Sequence, residues 1–277
     1  MRTGAAPLPR RACADVAPRP HAAAVLTFTE AQFLQWVSPL VWPFLRALAL
    51  FTALPVLGTR TVPTRVRIGL AAFIALAAQP SLPAGLEVAL DSPLAFVLVA
   101  QQLVIGLSLG FAVRLVFAAV EFAGELMGLQ MGLNFAGFFD PLSAASATAT
   151  SRFFGTIVAW LFIVANGHLL VIAALVHSFT AFPVGPEPFA FLHQVQPQRW
   201  GAEIFSTGLW IAMPLVTMLL LVNLVLGAIS RVAPQINIFA VGFPVTLGVG
   251  LLGLLLTLPA LSQPFTMTLE RLLEQFR

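Results

Sequence analysis

The chain has 277 residues, 59% of them hydrophobic and 9% charged, against roughly 25% charged in a soluble domain. These side chains cannot supply the polar surface that a soluble enzyme of this size needs, and a disordered chain is excluded more firmly still. All 14 basic residues are arginine; four lie in residues 1–24, and residues 25–277 balance 10 arginines against 10 acids, leaving no basic face for nucleic acid.

Residues 1–24 are rich in proline and arginine and lack the apolar run of a secretory or twin-arginine signal. They read as a disordered arm or as an over-extended start, with Val25 the residue at which a GTG codon would begin the chain. Cys13 is the single cysteine, so neither an internal disulfide nor a cysteine metal cage can form.

From there the chain reads as all-α and membrane-integral, with about six long hydrophobic helices, several of them broken. Candidate segments lie at 31–57, 66–79, 94–120, 152–183, 204–230 and 238–261, each judged against the ~20 apolar residues that cross a bilayer as a helix. Prolines at 39, 43, 55, 214 and 244 suit helices that break where protein or a water-filled cavity surrounds them. Arg60, Arg65 and Arg67 fill the first loop, whereas the second holds Glu87 and Asp91. The positive-inside rule puts the first loop in the cytoplasm, both termini outside, and Arg231 inside.

A seventh stretch, 121–139, is apolar but carries Glu121, Glu125, Gln130 and Asn134. These are costly in lipid, so the stretch reads as buried in protein or lining a path. Within it Gly124, Gly128, Gly132 and Ala136 recur every fourth residue, a smooth stripe against which another helix can pack closely. Gln102, Gly106, Gly110 and Arg114 form a similar stripe just before it. The same stretch holds Met127, Met131, Phe135, Phe138 and Phe139, and a Met/Gly/Phe segment with few charges could close a wide pore and still deform. Asp140 and Pro141 end it in a turn, with Asp140 read as an acceptor for backbone N–H groups. Arg114 sits deep in its segment; a buried ion pair with Glu121 or Glu125 is the favoured reading.

His168 and His177 have no carboxylate or second histidine at metal-ligand spacing. No G-x-S-x-G, P-loop or H-E-x-x-H occurs. The sequence therefore predicts no catalysis, cofactor or metal. In the last 13 residues, Phe265, Leu269, Leu272, Leu273 and Phe276 share one helical face while Glu270, Arg271, Glu274 and Arg277 share the other. This helix either binds a partner or caps the protein's own core.

The stretch GELMGLQMGLNFAGFFDP, residues 124–141, closely resembles the signature of the FliR family of flagellar biosynthesis proteins, which is shared with the matching export-gate subunit of type III secretion systems. Residues 29–72, ANGHLLVI at 165–172 and SRVAPQINIFAVGFPV at 230–245 resemble further family elements in the same order, and residues 1–24 have no counterpart. The resemblance implies a subunit of the protein-export gate in the bacterial inner membrane, at the flagellar basal body. FliP- and FliQ-like subunits would be its partners, with FlhB- and FlhA-like export components nearby and unfolded exported proteins as cargo. It implies a FliP-like part followed by a FliQ-like helical hairpin: a domain over 25–263 with the hairpin at 204–261, then an amphipathic helix at 264–277. The hairpin turn, with Arg231, Gln235 and Asn237, should face the cytoplasm. Met127, Gln130, Met131, Asn134, Phe135, Phe138 and Phe139 match the family's channel plug. An injectisome gate subunit is the alternative. A small-solute transporter is a weaker one, since it predicts an internal repeat that the two halves do not display.

Overall fold

The computed structural model describes residues 30–59, 61–81, 93–133, 148–185, 191, 195–196, 200–235 and 237–276. Among them all regular structure is helical: α1 (Glu30–Ala53), α2 (Thr64–Ala78), α3 (Pro93–Gln130), α4 (Ala149–Val164), α5 (Gly167–Ala181), α6 (Trp200–Val232), α7 (Ile238–Thr257) and α8 (Ser262–Glu274). Short 3-10 turns at Gln79–Ser81 and Leu258–Leu261 extend α2 and join α7 to α8.

The all-α architecture agrees with the sequence reading, but the division into six long segments does not. The segments 94–120 and 121–139 are continuous as far as Gln130, because nothing between Pro93, at the first helical position, and Gly132 breaks a helix. Segment 152–183 is instead two helices bent by 67°. The break falls at Asn166, which adopts a left-handed φ of 55°, a conformation that asparagine tolerates better than most residues. The prolines at 39, 43, 214 and 244 lie inside continuous helices, and Pro55 follows α1 in a turn. By length and composition, three helical stretches can cross a membrane (Leu94–Gln130, Trp200–Val232 and Ala240–Glu274), and a fourth crossing is possible if α4 and α5 act together.

The core is organised around α3, which packs against α1, α4, α6 and α8. Close approach comes from missing side chains. A Cβ on Gly106 would run into the carbonyl oxygen of Arg46, and one on Gly110 would lie 2.9 Å from that of Leu50, so the backbones of α1 and α3 nearly touch. The helix α8 closes this core from the far side. Its residues Phe265, Leu269, Leu272 and Leu273, with Phe276 just beyond, are all buried, each contributing about 1.5–3 kcal/mol by leaving water. Of the two sequence readings of this helix, the structure takes the one that caps the protein's own core. Phe276 sits among Phe182, Phe191 and Trp200, with ring centroids 6.5, 5.9 and 6.0 Å away. The indole N–H of Trp200 donates to Gln275 Oε1 at 2.9 Å, which joins the start of α6 to the end of α8.

Candidate functional site

The end of α3 carries the residues singled out by the sequence. Gly124 and Gly128 face α4: a Cβ on Gly124 would lie 2.7 Å from the Phe154 ring, and one on Gly128 would overlap the Thr150 hydroxyl. The start of α4 is set by Thr148, whose Oγ1 accepts from the Ser151 N–H at 3.2 Å, an N-terminal cap. Gly132 does not continue the glycine stripe. The helix stops at Gln130, and Gly132 turns the chain with φ 79° while its N–H donates to Leu129 O at 3.1 Å. This is the left-handed exit for which glycine is suited. Ala136, and with it Asn134, Phe135, Phe138, Phe139, Asp140 and Pro141, lies outside the described residues.

Met127 and Met131 are fully buried, whereas Gln130 is half-buried and Leu129 exposed. Met131 fits against α7 because Gly250 has no side chain there; a Cβ on Gly250 would lie 2.6 Å from Met131 Cγ. The two methionines therefore tie the end of α3 to the chain's own core.

The expected buried ion pair is not formed. Arg114 and Glu121 are exposed, Glu125 is half-buried, and no ion pair joins them among the described residues. Seven residues along a helix is about 10.5 Å of rise, too far for easy contact. Arg114 and Glu121 instead line one groove of about 290 Å³, together with Pro55 and Thr59 after α1. The carboxylate of Glu121 also lies close over Gly155 of α4.

The cation that is buried is Arg46 of α1, which the sequence reading passed over. It is 0% exposed. Its Nε donates to Gln102 Oε1 at 2.8 Å, Nη1 donates to Ser178 O at 2.7 Å and to Ser178 Oγ at 2.9 Å, and Nη2 donates to Phe182 O at 3.0 Å. The guanidinium carbon lies 3.9 Å from the centre of the Phe179 ring, a cation–π contact. No carboxylate is among these partners. The positive charge is met by the carbonyls at the end of α5, where the helix dipole is negative. Gln102 drew notice only as part of a stripe. The bonds of Arg46 reach 56, 132 and 136 residues along the chain, a separation that local spacing cannot show. A charge in an apolar segment was the available signal.

In the turn between α6 and α7, Arg231, Gln235 and Asn237 are exposed. Asn237 Oδ1 accepts from the Ala240 N–H at 3.3 Å and so starts α7. Among the described residues no three His, Cys, Asp or Glu side chains gather as a metal-binding group.

Fold and site together define a helical membrane protein built on a glycine-lined central helix and a buried arginine. The model of the bacterial export proteins, family 1, matches residues 37–272. The chain is 44% identical over 241 residues to the flagellar biosynthetic protein FliR of Escherichia coli (strain K12), covering 87% of this chain and 92% of that one. It is 43% identical over 241 residues, with the same coverage, to that of Pectobacterium carotovorum, and 29% identical over 238 residues to that of Bacillus subtilis (strain 168), covering 82% and 90%. The chain therefore belongs to the bacterial export proteins, family 1, and within it to the flagellar FliR proteins. It is a membrane-embedded subunit of the flagellar export apparatus, structural rather than enzymatic.

Proposed function

We propose that this subunit helps to build the flagellar export channel in the inner membrane together with FliP- and FliQ-like partners, next to FlhB- and FlhA-like components, and that its Met/Gly/Phe stretch plugs the channel until an unfolded protein arrives. Residues 25–263 form the export-gate unit, with 204–261 as a FliQ-like hairpin whose Arg231–Asn237 turn faces the cytoplasm. The observation that carries this reading is the end of α3. Gly132 turns the chain out of the helix directly after Met131, so the next segment starts from a buried, fixed point. Met127 and Met131 anchor that segment, and Gln130, Asn134, Phe135, Phe138 and Phe139 form its sealing part.

The test replaces Phe135, Phe138 and Phe139 with glycine in the full complex and measures membrane ion conductance and flagellar export. A leak to small ions with export retained is the expected result. Unchanged conductance with unchanged export would remove the plug from the reading and leave the family membership untouched.

A further inference from the structure

The start of α6 and the length of α8 enclose a groove of about 320 Å³ that the export reading does not use. On α6 it is lined by Glu203, Ser206, Thr207 and Trp210, which share one face at helical spacing. On α8 it is lined by Pro264, Met267, Thr268 and Arg271, likewise on one face. Because Trp200 bonds Gln275, the two helices run antiparallel here. Glu203 and Arg271 thus lie at one end of the groove, and Trp210 lies at the other, toward the middle of α6.

The opposite charges at the polar end do not satisfy each other. Among the described residues neither side chain forms an ion pair. The other end is apolar and opens onto exposed membrane-type surface: Trp210 is 72% exposed, and Leu209 and Met213 beside it are about half exposed. The polar end lies near the start of α6, one end of a helix long and apolar enough to cross a bilayer, so a membrane-inserted α6 would hold it toward the headgroup region.

We propose that this groove binds the headgroup of a zwitterionic phospholipid of the ethanolamine class. Arg271 takes the phosphate, for which a guanidinium is the better-suited cation. Glu203 accepts hydrogen bonds from the primary ammonium, and the Thr207 hydroxyl serves a remaining oxygen, the Ser206 hydroxyl already donating to Glu203 O at 3.3 Å. The acyl chains leave past Trp210 along Leu209 and Met213. The charges discriminate among lipids. A choline headgroup has no N–H to donate to Glu203, and a glycerol headgroup has no cation for it at all. This inference needs only that the chain is membrane-embedded, so it stands or falls separately from the plug.

The experiment is native mass spectrometry of the full chain in mild detergent, titrated in parallel with phosphatidylethanolamine, phosphatidylcholine and phosphatidylglycerol. Retention of phosphatidylethanolamine should exceed that of either competitor by about tenfold, the worth of one charge-assisted hydrogen bond. Glu203→Gln should erase that preference, and Arg271→Gln should lower retention of all three. Helix content by circular dichroism checks the fold of each variant. If Glu203→Gln disturbs it, Ser206→Leu, which fills the groove and keeps both charges, should erase the preference instead. Equal retention of the three lipids, or a preference that survives these variants, would overturn the proposal. So would a polypeptide partner crosslinking to position 210 in the assembled complex while excluding lipid.

Discussion

The central helix α3 and the long helix α6 are equally apolar, yet they sit in different surroundings. In its most apolar stretch α3 is 61% buried within the chain, whereas α6 is 22% and the α7–α8 stretch 28%. What separates them is not hydrophobicity but what they offer a neighbour. The face of α3 toward α1 and α4 is cut down to glycine at 106, 110, 124 and 128. By contrast, α6 carries Leu221 and Leu224 outward, 63% and 72% exposed, and Gly227 of α6 and Gly248 of α7 have nothing within 4 Å of a built Cβ. One region is mostly covered inside the chain, with Phe96 and Leu129 among the α3 side chains left well exposed. The other is an exposed apolar surface suited to lipid or to other subunits.

The sharpest way to break this contrast is to damage the covered region at its polar centre. Arg46→Met removes the donors for Gln102, Ser178 and Phe182 together; with several buried acceptors orphaned, the full chain in detergent should lose about 3–5 kcal/mol, read from denaturant unfolding followed by circular dichroism. Gly106→Leu should come next, because its side chain meets the Arg46 backbone. About 2 kcal/mol or more of overpacking is expected, visible as a lower melting midpoint. Trp200→Phe loses the bond to Gln275 and leaves a small cavity where the buried indole was; it should cost about 1–2 kcal/mol, seen as faster amide hydrogen exchange across α8. Gly248→Leu closes the series. The isolated chain should change by less than about 0.5 kcal/mol, but if another subunit covers α7 there, co-purification of that subunit should collapse. A variant that assembles normally would assign that face to lipid.

Much of this was legible from the residues. Small side chains at four-residue spacing pointed to close helix approach, and Gly124 and Gly128 meet Phe154 and Thr150. The alternation of Phe265, Leu269 and Leu272 with Glu270 and Arg271 marked an amphipathic helix, and its apolar half is buried. Arg46 itself was visible as a charge in an apolar segment, but its partners were not legible, being helix-end carbonyls, a serine hydroxyl and a glutamine that neither charge nor spacing advertises. The buried Arg114–Glu121 pair was expected because charges are costly in an apolar segment, but both side chains instead line a groove. The prolines were misread as breaks, while the true break lies at an asparagine whose backbone, not its side chain, carries the deviation. The plug reading of residues 134–139 rests on the Met/Gly/Phe composition together with the resemblance, and these residues lie outside the described ones.

The bend at Asn166 has a consequence for sidedness. With 16 and 15 residues, α4 and α5 each rise about 22–24 Å, short of the ~30 Å hydrocarbon core. Two half-length helices either add up to one crossing or return to the side from which they came. In the first case the long stretches make four passages, and the start of α3 shares a compartment with the end of α8; in the second they make three, and those two ends are separated. A single left-handed residue thereby governs the parity of the chain's passage through the membrane.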